Sequence, residues 1–436
     1  MPDFFLSVFL LFCNIENHNL YSASIMLVKR RNTPYCTSRC LYFILWACSL
    51  VVISCHSDEE WLEPVPYKVL NTIKSTTDIT FAQVVKFLTT EEGITEEQVR
   101  PYKQRIDMAA LRSRNYKAYT ITYHTTDPKG NPVLASGVVY YPKSGKPKGV
   151  IEALPYSKNK SDCPSNRLTN AEIIQGMAGF IVVAPDLIGF GETAAMPVPF
   201  FYHDNVAKVC ADMRQAANEL VRNEYGRDMP SWTMLSGISL SASGAWALAR
   251  HYNLHPELGV KVSQIWIAGG AYNPLAVLDH QLASLYTDYV FLPSSLYSLN
   301  YYDGLGLDFS KVFKGELASN YELWCSGNTN LFDLSDKLGS DISQYLNLDF
   351  FSPDNPDYLR LRQSAAKLAV PNDWIPTCTI HIYHGSNDTY VPIESTNELV
   401  AYLRSVGAKV DYVVTESGHV ENCLMMGADL LEYLYK

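Results

Sequence analysis

Residues Ser231–Arg250 read SWTMLSGISLSASGAWALAR, and the pattern changes in the middle. Residues 232–236 are a short apolar run with the look of a buried strand, whereas 242–252 are rich in Ala, Leu and Trp and look helical. The join is Gly237-Ile238-Ser239-Leu240-Ser241. A serine at such a junction sits in a tight turn that lifts its hydroxyl clear of the sheet, provided the residues two before and two after are small enough for strand and helix to approach. Gly237 meets that demand. Ser241 occupies the position of the last glycine in G-x-S-x-G, and Ala242, Ser243 and Gly244 keep the same helix face small. A Gly two before a Ser is common by chance, so this turn needs support from elsewhere in the chain.

Working outward, further short apolar runs occupy 150–154, 180–184, 264–268, 379–383 and 410–414, with helix-like text between most of them. That alternation predicts a mostly parallel sheet with helices on both faces. Upstream, 116–125 and 134–141 alternate around the turn Asp127-Pro128-Lys129-Gly130-Asn131-Pro132, the pattern of an antiparallel hairpin. Residues 61–114 are polar and helix-compatible. In open α/β sheets functional groups collect at the carboxyl ends of the strands.

The strand ends carry the chemistry. After 379–383 comes His384-Gly385-Ser386-Asn387-Asp388-Thr389-Tyr390-Val391-Pro392, and after 410–414 comes Glu416-Ser417-Gly418-His419. With Ser239 these residues resemble the α/β-hydrolase superfamily, whose acid loop is G-x-x-D-x-x-V-P and whose order is Ser, Asp, His. The resemblance spans residue 116 to the C-terminus and implies Ser239 as nucleophile, Asp388 as triad acid and His419 as base. A serine hydroxyl needs a neutral imidazole to take its proton and a carboxylate to hold the imidazole tautomer. The Leu240 backbone N–H supplies one oxyanion donor on this reading. The loop Pro155-Tyr156-Ser157 stands where relatives carry His-Gly, making the N–H of Tyr156 or Ser157 the candidate second donor. Pro185-Asp186-Leu187-Ile188-Gly189-Phe190-Gly191 resembles the P-D-x-x-G-x-G turn, with Asp186 a loop brace. His381 and His384 lie three apart on opposite strand faces and share no ligand. His203, His251 and His255 read as surface or packing residues.

The hundred residues from 272 to 372 exceed what the sheet needs and are dense in Tyr and Phe. An insertion here resembles the helical cap of esterases and lipases, especially the secretory-lipase-like branch, with most of its aromatics forming the cap's own core. The expected fold is thus an α/β-hydrolase core at 116–271 and 373–436, a mainly helical cap at 272–372, and a linker and N-terminal helical segment at 55–115.

Residues 1–54 read as a signal region. Lys29, Arg30, Arg31 and Arg39 precede an apolar run from Leu41 to Ser54, too short to span a bilayer comfortably. Val52-Ile53-Ser54-Cys55 resembles a bacterial lipobox, which implies lipidation of Cys55 and a membrane-anchored, exported protein of the cell envelope. Met26 is an alternative start to Met1. Downstream, Cys163, Cys210, Cys325, Cys378 and Cys423 are odd in number, and their spacing suits no zinc site. A formal charge of −10, with no long basic run, argues against a nucleic-acid partner. No cofactor or metal is expected. The function implied is hydrolysis of a small-molecule or lipid ester with an apolar or aromatic group; a peptidase of the same fold and a catalytically impaired ligand-binding protein are the alternatives.

Overall fold

The computed structural model describes residues 62–436 apart from 91–96, 98, 99, 157–159 and 170. Residues 1–54, read above as a signal region, lie outside the described residues, as do Cys55 and Ser157. A nine-stranded sheet runs through the rest: β1 (Leu70–Ile79), β2 (Tyr116–Thr126), β3 (Pro132–Pro142), β4 (Val150–Ala153), β5 (Ile181–Pro185), β6 (Trp232–Ile238), β7 (Lys261–Ala268), β8 (Thr379–Gly385) and β9 (Val410–Thr415). Their order is β1-β2-β3-β5-β4-β6-β7-β8-β9. The first three strands pair antiparallel and β3 meets β5 antiparallel, whereas all pairings from β5 through β9 are parallel.

The helices are α1 (Phe81–Thr90), α2 (Lys103–Arg112), α3 (Ala171–Gly176), α4 (His203–Tyr225), α5 (Leu240–Leu254), α6 (Pro274–Ser284), α7 (Leu292–Asp303), α8 (Phe309–Val312), α9 (Gly315–Cys325), α10 (Leu331–Leu338), α11 (Pro356–Ala366), α12 (Ile393–Ser405) and α13 (His419–Tyr435). The continuous apolar runs have a simple cause. Along β7, Ile265 and Ile267 pack with α5 and α12 on one face while Trp266 and Ala268 pack with α13 on the other. Burial on both faces removes the apolar-polar alternation that a solvated sheet would show.

One expectation is corrected at the amino end, where residues 70–79 form an edge strand instead of helix. The run LNTIKSTTDI buries Leu70 and Ile79 and leaves most of the rest exposed, so its interior carries no period for a reader to find. Its backbone pairing with β2 decides its conformation. Between β7 and β8, helices α6 to α11 enclose a separate apolar cluster that includes Phe291, Phe309, Phe313, Trp324, Phe350 and Tyr358. The same cluster takes in Leu240 and Tyr390, the neighbours of the elbow and of the acid loop, at the carboxyl edge of the sheet. Among the described residues no helix is long and apolar enough to cross a membrane.

Candidate active site

The chain reverses its winding between β4 and β6, because β5 is added on one side of β4 and β6 on the other. Such a switch point opens a crevice beyond the strand ends. Ser239 stands there, between β6 and α5, at φ 57° and ψ −125°. A non-glycine residue in that region stores about 1–3 kcal/mol of strain, held by its surroundings. Gly237 makes the turn possible: a Cβ there would come within 2.1 Å of the Ser241 carbonyl oxygen. The Ser239 hydroxyl caps no helix N–H, and the residue is half-buried. Its backbone N–H donates to the Ala268 carbonyl at 2.8 Å, tying the elbow to the end of β7.

Asp388 and His419 meet beside the same strand end. His419 is the first residue of α13, and its Nδ1 lies 2.6 Å from Asp388 Oδ2. The carboxylate is fully engaged, since Oδ1 also accepts from the backbone N–H of Tyr390 at 2.9 Å and of Val391 at 3.0 Å. Burial opposes the charge on Asp388, but hydrogen bonds from His384 and His419 outweigh it and hold the carboxyl well below the usual carboxylate range. The loops carrying the pair are laced together. Ser386 N–H donates to the Thr415 carbonyl, Asn387 N–H donates to the Ser417 carbonyl, and a Cβ on Gly385 would meet the Ser417 oxygen at 2.1 Å. Gly269, next to the residue that receives the Ser239 N–H, lets the imidazole come close: a Cβ there would sit 2.7 Å from His419 Cε1. Elbow and Asp–His pair therefore flank one dipeptide, Ala268-Gly269. Among the described residues no hydrogen bond joins the Ser239 hydroxyl to His419.

Ser241, read from sequence as a degenerate glycine, has a partner. It is buried, and its hydroxyl donates to the carbonyl of Pro155 at the end of β4. That contact takes its hydroxyl out of contention as a nucleophile and fastens the loop bearing Tyr156 to the first turn of α5. Leu240 opens that turn, where helix N–H groups lack intrahelical partners. Asp186 ties β3 to the loop at Ser165, accepting from the Ser136 hydroxyl at 2.5 Å and the Ser165 N–H at 3.0 Å.

Sequence reasoning passed over His384. It does face away from His381, which stacks on Trp266 at 3.9 Å, but it turns toward the acid: His384 Nε2 is 3.3 Å from Asp388 Oδ2. A histidine four residues before an aspartate, across a strand-ending Gly turn, was the available signal. The aromatic ring of Tyr390 stacks on His419 at 4.9 Å, and Tyr289 of the α6–α7 connection stacks on Tyr390 at 4.9 Å. Phe201, Val277, Leu278, Phe291, Leu296 and Leu361 line a small apolar gap between α6, α7 and α11.

No family model matches the sequence, and no curated protein sequence does. Solved structures do match the fold. A Legionella pneumophila protein assigned as a hydrolase is 17% identical with a TM-score of 0.68, covering 84% of this chain and 97% of its own. The rice cell wall degrading esterase LipA from Xanthomonas oryzae is 20% identical with a TM-score of 0.65, covering 83% of this chain and 96% of its own. Candida antarctica lipase A is 14% identical with a TM-score of 0.52, covering 72% and 75%. The architecture is thus that of the α/β-hydrolase fold.

Proposed function

We propose that this chain is a serine hydrolase that cleaves carboxylic esters through a Ser239-His419-Asp388 triad and an acyl-enzyme. The observation that carries the reading is the buried Asp388–His419 hydrogen bond of 2.6 Å, standing across Ala268-Gly269 from a serine in strained elbow backbone. In the first step His419 Nε2, the nitrogen not engaged by Asp388, takes the Ser239 proton as the oxygen attacks the ester carbonyl. The backbone N–H of Leu240, with that of Tyr156 or Ser157, receives the oxyanion. His419 then gives the proton to the departing alcohol, and water repeats the cycle on the acyl-enzyme. The reading requires the Ser239 hydroxyl to reach His419, and such hydrogen bonds are often long in free enzymes and tighten with substrate.

An apolar acyl or alcohol group suits this site, because the helices at 272–372 set an apolar cluster against Leu240, next to Ser239, and Tyr390, two residues after Asp388. The helices at 272–372 act as the cap on this reading. Two of the structural neighbours are named as an esterase and a lipase, which favours the ester over the amide. The lipobox-like 52–55 stretch supports export and anchoring through a lipidated Cys55 in a bacterial cell envelope. The direct test is hydrolysis of p-nitrophenyl esters of two to sixteen acyl carbons beside matched p-nitroanilides. Turnover of esters with preference for longer chains fits the proposal. Preference for the anilides favours the peptidase, and saturable binding without turnover favours the ligand-binding protein, which the altered oxyanion loop at Pro155-Tyr156 keeps in contention.

A further inference from the structure

His384 is fully buried at the end of β8, one residue before the Gly385 turn. Its Nδ1 lies 2.7 Å from the Thr396 hydroxyl on α12, and its Nε2 lies 3.0 Å from the Val391 carbonyl and 3.3 Å from Asp388 Oδ2. A carbonyl only accepts, so Nε2 carries the proton, and Nδ1 is left to accept from Thr396. The tautomer is set from both sides. Val391 closes the arrangement: its N–H donates to Asp388 Oδ1 while its carbonyl accepts from His384.

We propose that His384 is a positioning residue for the Asp388–His419 pair, its Nε2–H bonded to the Val391 carbonyl and its polar edge set 3.3 Å from the carboxylate oxygen that orients the base. The inference rests on the reading of Asp388 and His419 as acid and base. The Nε2–H edge at 3.3 Å adds an electrostatic contact to the oxygen that His419 bonds, and it draws negative charge away from the His419 contact. Removing it should leave Asp388 a stronger partner for the imidazolium, raising the pH at which His419 titrates. The other titratable or charged groups facing the pair are Tyr390, stacked on His419, Cys423 and Glu421 on α13, and Asp288, which acts on Tyr390 from the α6–α7 connection. Among the described residues, the basic side chains in contact with the Asp388 carboxylate are the two histidines.

Three variants test the role. A glutamine amide reaches the position of a histidine Nε2, whereas an asparagine amide ends near Nδ1. His384→Gln therefore keeps an N–H beside Asp388 and Val391, and His384→Asn removes it. Thr396→Val leaves His384 in place but withdraws its tautomer-fixing partner. The readouts are the His419 titration midpoint by NMR, assigned through its loss in His419→Gln, and kcat and KM for p-nitrophenyl butyrate. We expect His384→Asn to raise the midpoint by roughly 0.5–1 pH unit and to lower kcat roughly tenfold, with KM within about twofold. His384→Gln should stay close to the parent in both, and Thr396→Val should shift the midpoint in the same direction by less. Equal effects of Gln and Asn would overturn the proposal, as would an unmoved midpoint in His384→Asn. Should that variant fail to fold, an unmoved midpoint in Thr396→Val overturns it instead. A midpoint that moves as expected in a protein with no esterase activity supports the positioning role and refutes the ester reading.

Discussion

Gly269→Ala tests whether His419 works from where it stands. A methyl group there would lie 2.7 Å from His419 Cε1 and 3.0 Å from Nδ1. Carbon atoms settle at about 3.5 Å or more, so the ring must retreat by roughly 0.8 Å. That retreat is a third of the 2.6 Å Nδ1···Oδ2 separation and breaks the alignment with Asp388. Misplacement on the scale of 1 Å lowers rates by about 10²-fold, equal to about 2.7 kcal/mol of transition-state stabilisation. The substitution carries a backbone term too, because Gly269 has φ +60° and alanine there costs about 1–2 kcal/mol. Gly259→Ala isolates that term, since Gly259 has φ +67° with nothing within 4 Å of the added carbon. The assay is the second-order rate of fluorophosphonate labelling, with melting temperature recorded in parallel. Both variants should melt a few degrees lower, and only Gly269→Ala should lose labelling, by about a hundredfold. Labelling of the two within threefold would refute the reasoning.

Three further outcomes follow from burial and from the lipobox reading of 52–55. His203 is buried, and burial pushes its pKa down to about 3 against a smaller opposing pull from hydrogen bonding to the Ala271 backbone. Its folded pKa is depressed, so the stability tied to its neutral form is present above about pH 6.5 and is lost as pH falls toward 3; in urea titrations, His203→Leu should gain on the parent by up to about 1.4 kcal/mol per pH unit across that window. An equal pH dependence of the two proteins contradicts this. Cys163, Cys210, Cys325, Cys378 and Cys423 are free and buried, and burial raises every one of their thiols, Cys378 to about 11. Iodoacetamide at pH 8 should leave all five unmodified in the native protein and alkylate all five in guanidinium, as read by peptide mass mapping; native alkylation of any refutes its placement. Cys55→Ala should abolish palmitate incorporation and detergent partitioning, because acyl chains anchor at about 0.8 kcal/mol per buried CH₂. A labelled, membrane-bound variant contradicts the lipobox reading.

The parallel strands were legible because both sheet faces are buried, which writes them as unbroken apolar runs. That Asp388 and His419 stand at neighbouring strand ends was legible because both follow those strands directly. Edge strand β1 was not: ladder bonds to β2 hold it, and its exposed interior has no hydrophobic period. The role of Ser241 was hidden for another reason. Its partner Pro155 lies 86 residues away, and a serine in a glycine position reads only as a defect until the loop across from it is known. The face of His384 was legible but its contacts were not, because alternation along a strand predicts the face of a side chain but not what the following turn folds back onto that face. Three residues decide it, Asp388, Val391 and Thr396, all beyond the strand. The α6–α11 block was legible as an insertion, whereas the stacking of Tyr289 on Tyr390 and of Tyr390 on His419 depends on tertiary packing alone.

The account turns on whether Ser239 is an activated nucleophile. Intact-mass analysis after fluorophosphonate treatment, with tryptic mapping of the adduct, measures that directly. We predict one adduct per chain, on Ser239, lost in Ser239→Ala and in His419→Ala while the Ser239→Ala melting temperature stays within about 2 °C of the parent, since one hydroxyl leaves a half-exposed elbow. An adduct on Ser241, or none on the unmodified protein together with no ester hydrolysis, would contradict the triad.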